Sequence, residues 1–265
     1  MSKQLRYIDV HSHLQFQQYD ADRVEVISRA NAAGVAIINV GTDLDTSKKA
    51  VEYAHGHENM WAIVGLHPTD IADATFDYDA FKKLALDPKV VAIGECGLDF
   101  FHSKPEDIER QKTIFIDQIR LANEIGKPLM LHVRNGRDGG GEKSAYQEAL
   151  QILKEHAKVA ANFHFFAGTS DDLRDIVAAG YTVSFTGVLT FTKDYDELVK
   201  MVPEDRIMSE TDAPFVSPAP YRGKRNESSY VVEVVKAIAR IKEMKEETMS
   251  EILVTNAKKF FNIDF

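Results

Sequence analysis

Six residues scattered along the chain are of types that bind metals, and they share one local setting. His11 and His13 close the apolar run 7–10, Glu95 follows the run 90–93, and His132 follows 128–131. His164 follows 159–163, and Asp212 follows 206–209. Neutral imidazole offers a lone pair near neutral pH and is the commonest protein ligand for metals. His11 and His13 are two residues apart, and in an extended strand such residues point to the same face. Taken alone, that pair fits two solvated imidazoles as well as it fits two ligands. Chance placement does not select the ends of apolar runs so consistently, so the set of six points to convergence on one pocket. His55, His57, His102 and His156 lie in helix-like or loop stretches outside the pattern and are read as solvated. His67 follows the run 60–64; its place suits catalysis or the closing of a loop.

Four imidazoles and two carboxylates are more than one tetrahedral zinc can use. They suit two divalent metals sharing a carboxylate, with Glu95 as the bridge. One metal would take His11, His13 and Asp212, the other His132 and His164. Two metals ~3.5–4 Å apart can activate a water and stabilise the leaving oxygen of a displacement at phosphorus. Asp212 could accept the water's proton as general base. So many imidazoles favour Zn²⁺, Mn²⁺, Ni²⁺ or Co²⁺ over Mg²⁺, which prefers oxygen. Arg134, two residues past His132, and Arg222, in a loop after the last strand, are candidate phosphate contacts, because a guanidinium grips phosphate bidentately. Lys224 and Arg225 are read as surface charges. Phe100 and Phe101 could stack an unpaired base, with packing expected to claim at least one of them.

These positions require a scaffold that brings distant strand ends together. Apolar, strand-like runs alternate with helix-like stretches from end to end. The helix-like stretches are 22–33, closed by Gly34; 44–55, with Asp45 as a candidate N-cap; 78–86; 105–125; 144–156; 171–179; 194–201; and finally 229–242 and 247–260. Such alternation implies parallel strands joined by helical crossovers. Eight units in 265 residues fit a single (β/α)₈ TIM barrel spanning 1–265, with an open doubly wound sheet as the alternative. In a barrel, all seven candidate residues reach the C-terminal rim, where barrel enzymes keep their chemistry. The stretch 135–141 carries three consecutive glycines and is expected to be flexible.

With 44% hydrophobic and 28% charged residues the chain reads as a soluble globular protein. Its one cysteine, Cys96, excludes an internal disulfide and fits a reducing compartment. The first residues lack the apolar core of a signal peptide, and no run reaches membrane-spanning length, so the expected location is cytoplasmic, with no membrane partner. A net charge of −9 excludes binding nucleic acid by bulk electrostatics, so any contact with phosphate must be local. No obligate protein partner is evident.

The chain resembles the TatD-type metal-dependent deoxyribonucleases, within the amidohydrolase-like barrels. The likeness runs over nearly the whole chain. It rests on Asp9-Val10-His11-Ser12-His13, Gly65-Leu66-His67-Pro68, Gly94-Glu95-Cys96-Gly97-Leu98-Asp99 and the stretch from Pro128 to Arg134. It continues with His164, Gly168-Thr169, Glu210-Thr211-Asp212-Ala213-Pro214 and Arg222-Gly223-Lys224-Arg225-Asn226-Glu227. The resemblance implies a TIM-type barrel, a divalent-metal centre that Mg²⁺ can also serve, and phosphodiester hydrolysis, often of DNA from the 3′ end. It implies metal ligation by His11, His13, Glu95, His132, His164 and Asp212, and active-site roles for His67 and Glu210. A structural role for Glu210 inside the barrel fits its spacing equally. Val10, Gln15, the stretch 135–141 and Ser228 depart from the family pattern without touching a proposed ligand, and they bear on substrate choice. The expected function is a 3′–5′ exonuclease on single-stranded or frayed DNA. The alternative is hydrolysis of another ester, lactone or amide bond on the same barrel.

Overall fold

The computed structural model describes residues 5–72, 75–137 and 144–265. The glycines at 139–141 lie outside the described residues. The strands are β1 (Tyr7–Ser12), β2 (Val35–Val40), β3 (Met60–Val64), β4 (Val90–Asp99), β5 (Leu129–Arg134), β6 (Ala161–Phe163), β7 (Thr182–Phe185) and β8 (Ile207–Ser209). They form one parallel sheet in sequence order. Beyond β8 the chain returns to the end of β1. Asp212 N–H donates to the His11 carbonyl at 2.9 Å and His13 N–H to the Ala213 carbonyl at 2.8 Å, which closes the barrel. The eightfold alternation thus gives a TIM barrel rather than an open sheet.

Between the strands run α1 (Arg23–Ala33), α2 (Leu44–Gly56), α3 (Tyr78–Ala85), α4 (Ile108–Ile125), α5 (Ala145–His156), α6 (Ser170–Ala178) and α7 (Asp196–Met201). After β8 come α8 (Val231–Ile241) and α9 (Glu246–Phe261). Local chemistry sets their ends. Gly34 closes α1 with φ +74°, a conformation that Cβ-bearing residues resist. The cap of α2 is Asp43, not Asp45: its carboxylate accepts from Thr46 N–H, and Thr46 reciprocates on the Asp43 backbone. Asp45 instead sits in the first turn, where a negative charge favours the helix dipole. Ser144 and Thr169 cap α5 and α6 in the same reciprocal way.

Alternation on the strands divides the core. Along β2, Val35 and Ile37 pack outward with the helices, while Ala36, Ile38 and Val40 join a separate cluster with Ile8, Trp61, Ala92, Met130 and Met208. That second cluster fills the barrel, and α9 brings Ala257 and Phe261 into it. Because both faces of each strand are covered, the strands read as unbroken apolar runs. β4 is longer than its apolar run suggested. It continues through Gly94, Glu95 and Gly97 to Asp99, with an irregularity in its pairing to β5 between Ile93 and Cys96. A Cβ on Gly97 would lie 2.2 Å from the His132 carbonyl oxygen, so glycine there lets β4 and β5 close up beside the polar rim. Among the described residues, no helix is long and apolar enough to cross a membrane.

Candidate metal centre

The C-terminal ends of the strands surround a cavity of about 990 Å³. His13, His67, Glu95, His132, His164 and Asp212 line it, and His11 lies directly beneath, fully buried. All seven candidates therefore converge on one place. Glu95 is at the middle. Its Oε1 faces His164 Nε2 at 2.8 Å, His132 Nδ1 at 3.0 Å and His67 Nε2 at 3.3 Å. Its Oε2 faces His11 Nε2 at 3.2 Å and His13 Nε2 at 3.8 Å. Asp212 Oδ1 closes the second side, 3.5 Å from His13 Nε2 and 4.0 Å from His11 Nε2.

The outer nitrogens of the rings decide what the inner ones offer. His13 Nδ1 donates to the Val40 carbonyl at 2.7 Å, His132 Nε2 to Asp99 Oδ2 at 2.9 Å, and His164 Nδ1 to Glu210 Oε1 at 3.3 Å. With the ring proton held outside, each neutral imidazole turns a lone pair toward Glu95 or Asp212. Lone pairs facing carboxylate oxygens need a cation between them, either a proton or a metal, and outer partners of this kind orient metal-ligating histidines. Among the described residues, three groups have ligand atoms within 4.8 Å of one another: His11, His13 and Asp212; His11, Glu95 and His164; and His67, Glu95 and His132. These donors fit metal. His67 differs from the others: Thr69 N–H donates to its Nδ1 at 3.2 Å, which leaves Nε2, 3.3 Å from Glu95 Oε1, as the nitrogen to carry the proton of the neutral ring. That ring is a hydrogen-bond donor toward the cavity.

Electrostatics follow the same geometry. Burial opposes charge on Glu95, but the His164, His67 and His11 imidazoles outweigh it and hold the carboxyl well below its usual range. Burial likewise opposes protonation of His164, and the Glu95 and Glu210 carboxylates overcome it, holding that imidazole well above its ordinary value. Burial pushes His11 down to about 3, with His164 adding repulsion. In the metal-free protein the cation between the carboxylates is thus a proton shared among His164, His13 and His132, whose imidazoles the facing carboxylates hold above the ordinary value. Metal must displace it, since ligation needs the free lone pair. Metal uptake at neutral pH should therefore release about one proton or more per chain, and apparent affinity should rise with pH. Calorimetric titrations in buffers of different ionisation enthalpy measure that number; a buffer-independent heat would contradict the proton-bridged arrangement.

Three buried acids that the sequence reading did not assign, or assigned only by resemblance, serve this cluster. Asp99 holds His132, donates nothing, and accepts from Phe101 N–H at 2.8 Å and His102 N–H at 2.7 Å; His102 Nδ1 also donates to it at 2.9 Å. His102, read as solvated, thus lines the cavity and shares a carboxylate with His132. Asp9 ties the ends of β1 and β8 together by accepting from Thr211 N–H at 2.8 Å and Thr211 Oγ1–H at 2.6 Å; burial pushes its carboxyl up to about 7. Glu210 lies in the barrel interior, where it accepts from Phe165 N–H and Ser184 Oγ–H, both at 2.6 Å, as well as from His164. Position after an apolar run did not signal Asp99, because it stands four residues beyond Glu95.

The expected substrate contacts divide. Arg134 lines the cavity, and Phe101 lies beneath its guanidinium. Phe100 packs against the core. Arg222 is not brought to the cavity: its guanidinium lies 3.8 Å from the Phe191 ring centroid, and Nη1 donates to the Ser217 carbonyl at 2.7 Å. Arg225 clasps the same loop, donating to Asp22 at 2.7 Å and lying over Tyr19.

A family model described as TatD related DNase matches residues 8–262. Among curated proteins, an uncharacterized metal-dependent hydrolase of Bacillus subtilis, YabD, is 41% identical, over 97% of this chain and 99% of its own. The 3′-5′ ssDNA/RNA exonuclease TatD of Escherichia fergusonii is 31% identical, over 97% of this chain and 99% of its own. The crystal structure of the TatD homolog YjjV from Escherichia coli superposes with a TM-score of 0.87 at 24% identity, covering 98% of this chain and 99% of that one. That likeness bears on the fold.

Proposed function

The chain belongs to the TatD-related DNase family, whose relatives here are metal-dependent hydrolases, and from that premise we propose that it hydrolyses phosphodiesters, removing nucleotides from the 3′ end of single-stranded or frayed DNA. The observation that carries the reading is Glu95, whose two oxygens face different sets of imidazoles, as a carboxylate shared by two neighbouring cations does. His11, His13 and Asp212 would hold one metal, and His132 and His164 the other, with Glu95 common to both. His11 also groups tightly with Glu95 and His164, so it stands between the two positions. Divalent metals there would supply the Lewis acidity that makes water a nucleophile at neutral pH.

The chain's own residues then divide the work. Asp212, at the cavity edge, accepts the proton of the attacking water. The water oxygen forms a bond to phosphorus, the bond from phosphorus to the 3′ oxygen breaks, and that oxygen leaves with the electron pair and takes a proton from solvent. His67 points an N–H into the cavity and hydrogen-bonds a phosphoryl oxygen, a donor placed where negative charge builds. Asp99 and Glu210 keep His132 and His164 in the ligating tautomer. Arg134 supplies a guanidinium to phosphate at the rim.

The test starts from protein stripped with a chelator and reloaded separately with Zn²⁺, Mn²⁺, Ni²⁺, Co²⁺ or Mg²⁺. Each form is assayed on end-labelled single-stranded DNA, blunt duplex, RNA and a simple carboxylic ester. The expected result is shortening of single-stranded DNA from its 3′ end, slower attack on blunt duplex and no activity without metal. Metal-dependent ester cleavage with every nucleic acid left intact would replace this reading with the carboxyl-ester alternative.

A further inference from the structure

Phe101 and Arg137, beside Arg134, form a feature at the rim whose second guanidinium the hydrolytic centre does not use. Both guanidiniums lie over the one ring, 4.5 Å from its centroid for Arg134 and 4.9 Å for Arg137. Both are exposed, and all three residues line the cavity. Among the described residues, neither guanidinium has a carboxylate within ion-pair distance, although acidic residues outnumber basic ones, 41 to 32. Two like charges over one aromatic ring repel, and the ring's π face offsets only part of that repulsion. An anion bridging them would turn the repulsion into attraction, and phosphate matches two planar guanidiniums especially well. Asp99 anchors the backbone that carries the ring by accepting from Phe101 N–H, and the same carboxylate holds His132.

Position in the barrel says which phosphate. Phe101 and Arg134 stand at the ends of β4 and β5, and Arg137 follows β5 closely. The opposite edge, at the ends of β8 and β1, is apolar: Phe16 stacks on His13 with centroids 4.6 Å apart, and Phe215 meets Phe16 edge-on at 6.4 Å. In a closed barrel with strands in sequence order, β4 and β5 lie across the mouth from β8 and β1. The metal-ligating cluster lies between. A bound chain would therefore meet an aromatic wall on one side of the scissile phosphate and a cationic wall on the other.

We infer that Arg134 and Arg137, braced on Phe101, form a subsite for a second phosphate, the one on the 5′ side of the bond being cut, while the terminal base rests against Phe16 and Phe215. The inference rests on the proposed phosphodiesterase activity and adds to it. A lone phosphodiester is then a poor substrate, and the enzyme reads chain continuity one nucleotide inward from the end. Arg134 serves this neighbouring phosphate together with Arg137. Exposed guanidiniums and a base-stacking wall are sequence-tolerant, so the preference is for phosphorylated single strands rather than for particular bases.

Three thymidine dinucleotides with one internal phosphodiester each test this on the metal-loaded protein: TpT, pTpT with a 5′ phosphate, and TpTp with a 3′ phosphate. The expected kcat/KM for pTpT exceeds that for TpT by roughly 10- to 100-fold, the range of one or two charge-assisted contacts. TpTp gains nothing. In Arg137→Ala the pTpT-to-TpT ratio drops at least several-fold, and Arg137→Lys restores part of it. Phe101→Ala also lowers the ratio. Comparing two substrates on one preparation cancels any loss of folded or metal-loaded protein. A ratio near one in the unaltered protein, a ratio that Arg137→Ala leaves intact, or a preference for TpTp would each overturn the subsite. Cleavage of none of the three with metal present would instead remove the phosphodiesterase reading, and this inference with it.

Discussion

Replacing Glu95 with glutamine should lower kcat/KM by roughly 10³-fold or more, equivalent to ~4 kcal/mol of transition-state stabilisation, and should empty both metal positions together. Glutamine keeps the volume, so the barrel folds. What it loses is charge at the one residue that meets every imidazole of the cluster: three at Oε1 and two at Oε2. A carboxamide also presents an N–H₂ on one side, which would point at imidazole lone pairs or at a metal. The loss therefore reaches both sides of the site. A change at His132 would be felt mainly on one side, because its ring touches Glu95 Oε1 and Asp99 but not Asp212. Elemental analysis of the variant beside its rate on single-stranded DNA measures both effects. Full metal content, or metal-dependent activity at the original level, would sink the bridging role. The metal-free variant should also release fewer protons on loading, since Glu95 is the first of the charges that keep His164 protonated.

The barrel and the inner cluster were legible in the sequence for one shared reason. Strands covered on both faces read as continuous apolar runs, so each run announces its own end, and a barrel sends all those ends to one rim. Hence His11, His13, Glu95, His132, His164 and Asp212 can be gathered from the sequence, and the structure brings all six together. What failed to show follows from the same logic. β4 crosses the rim through Gly94, Glu95 and Gly97, which break the apolar run, so the strand looked finished before Asp99. Asp99 could then not be seen as the partner of His132. The backbone contact that selects the proton-bearing nitrogen of His67 is likewise local to a turn and leaves no periodic trace. Arg222 was expected to contact phosphate because it lies in the loop after the last strand. The loop between β8 and α8 is pinned by Tyr19, Asp22 and Arg29 of distant segments, and those contacts turn Arg222 onto Phe191 instead. Arg137 went unassigned because the stretch after His132 read as a flexible loop, whereas Phe101, 36 places nearer the N-terminus and just past the end of neighbouring β4, holds it at the cavity.

The outer carboxylates share a pattern. Asp99, Glu210 and Asp9 each touch a backbone N–H of the rim and either a ligating ring or the strand end that bears one. Each therefore couples the shape of a rim loop to the aim of a donor atom. A rim loop that shifts on substrate binding would pull on His132 through Asp99, so substrate grip at Phe101 and alignment at the centre are mechanically one unit.

Asp212 presents the second large expectation. Asp212→Asn should reduce kcat by roughly 10²- to 10⁴-fold, the span of a lost general base, with a much smaller change in KM. The backbone at Asp212 has φ +55°, a left-handed conformation that aspartate and asparagine both tolerate, and its N–H donates to the His11 carbonyl. Asparagine therefore keeps the fold and the junction between β8 and β1, which isolates the carboxylate's charge as the only loss. Asp212 approaches the His11 and His13 side alone, so the variant should weaken one metal position while the His132 and His164 side stays filled, in contrast to the joint loss expected for Glu95→Gln. Rate and metal content separate two roles that one residue could combine. A variant that keeps both metals but loses the rate would assign Asp212 to proton transfer alone. One that loses a metal, and whose rate recovers in excess metal, would assign it to ligation alone. Unchanged kcat with both metals bound would leave the water's proton to another acceptor and overturn the assignment of Asp212 as general base.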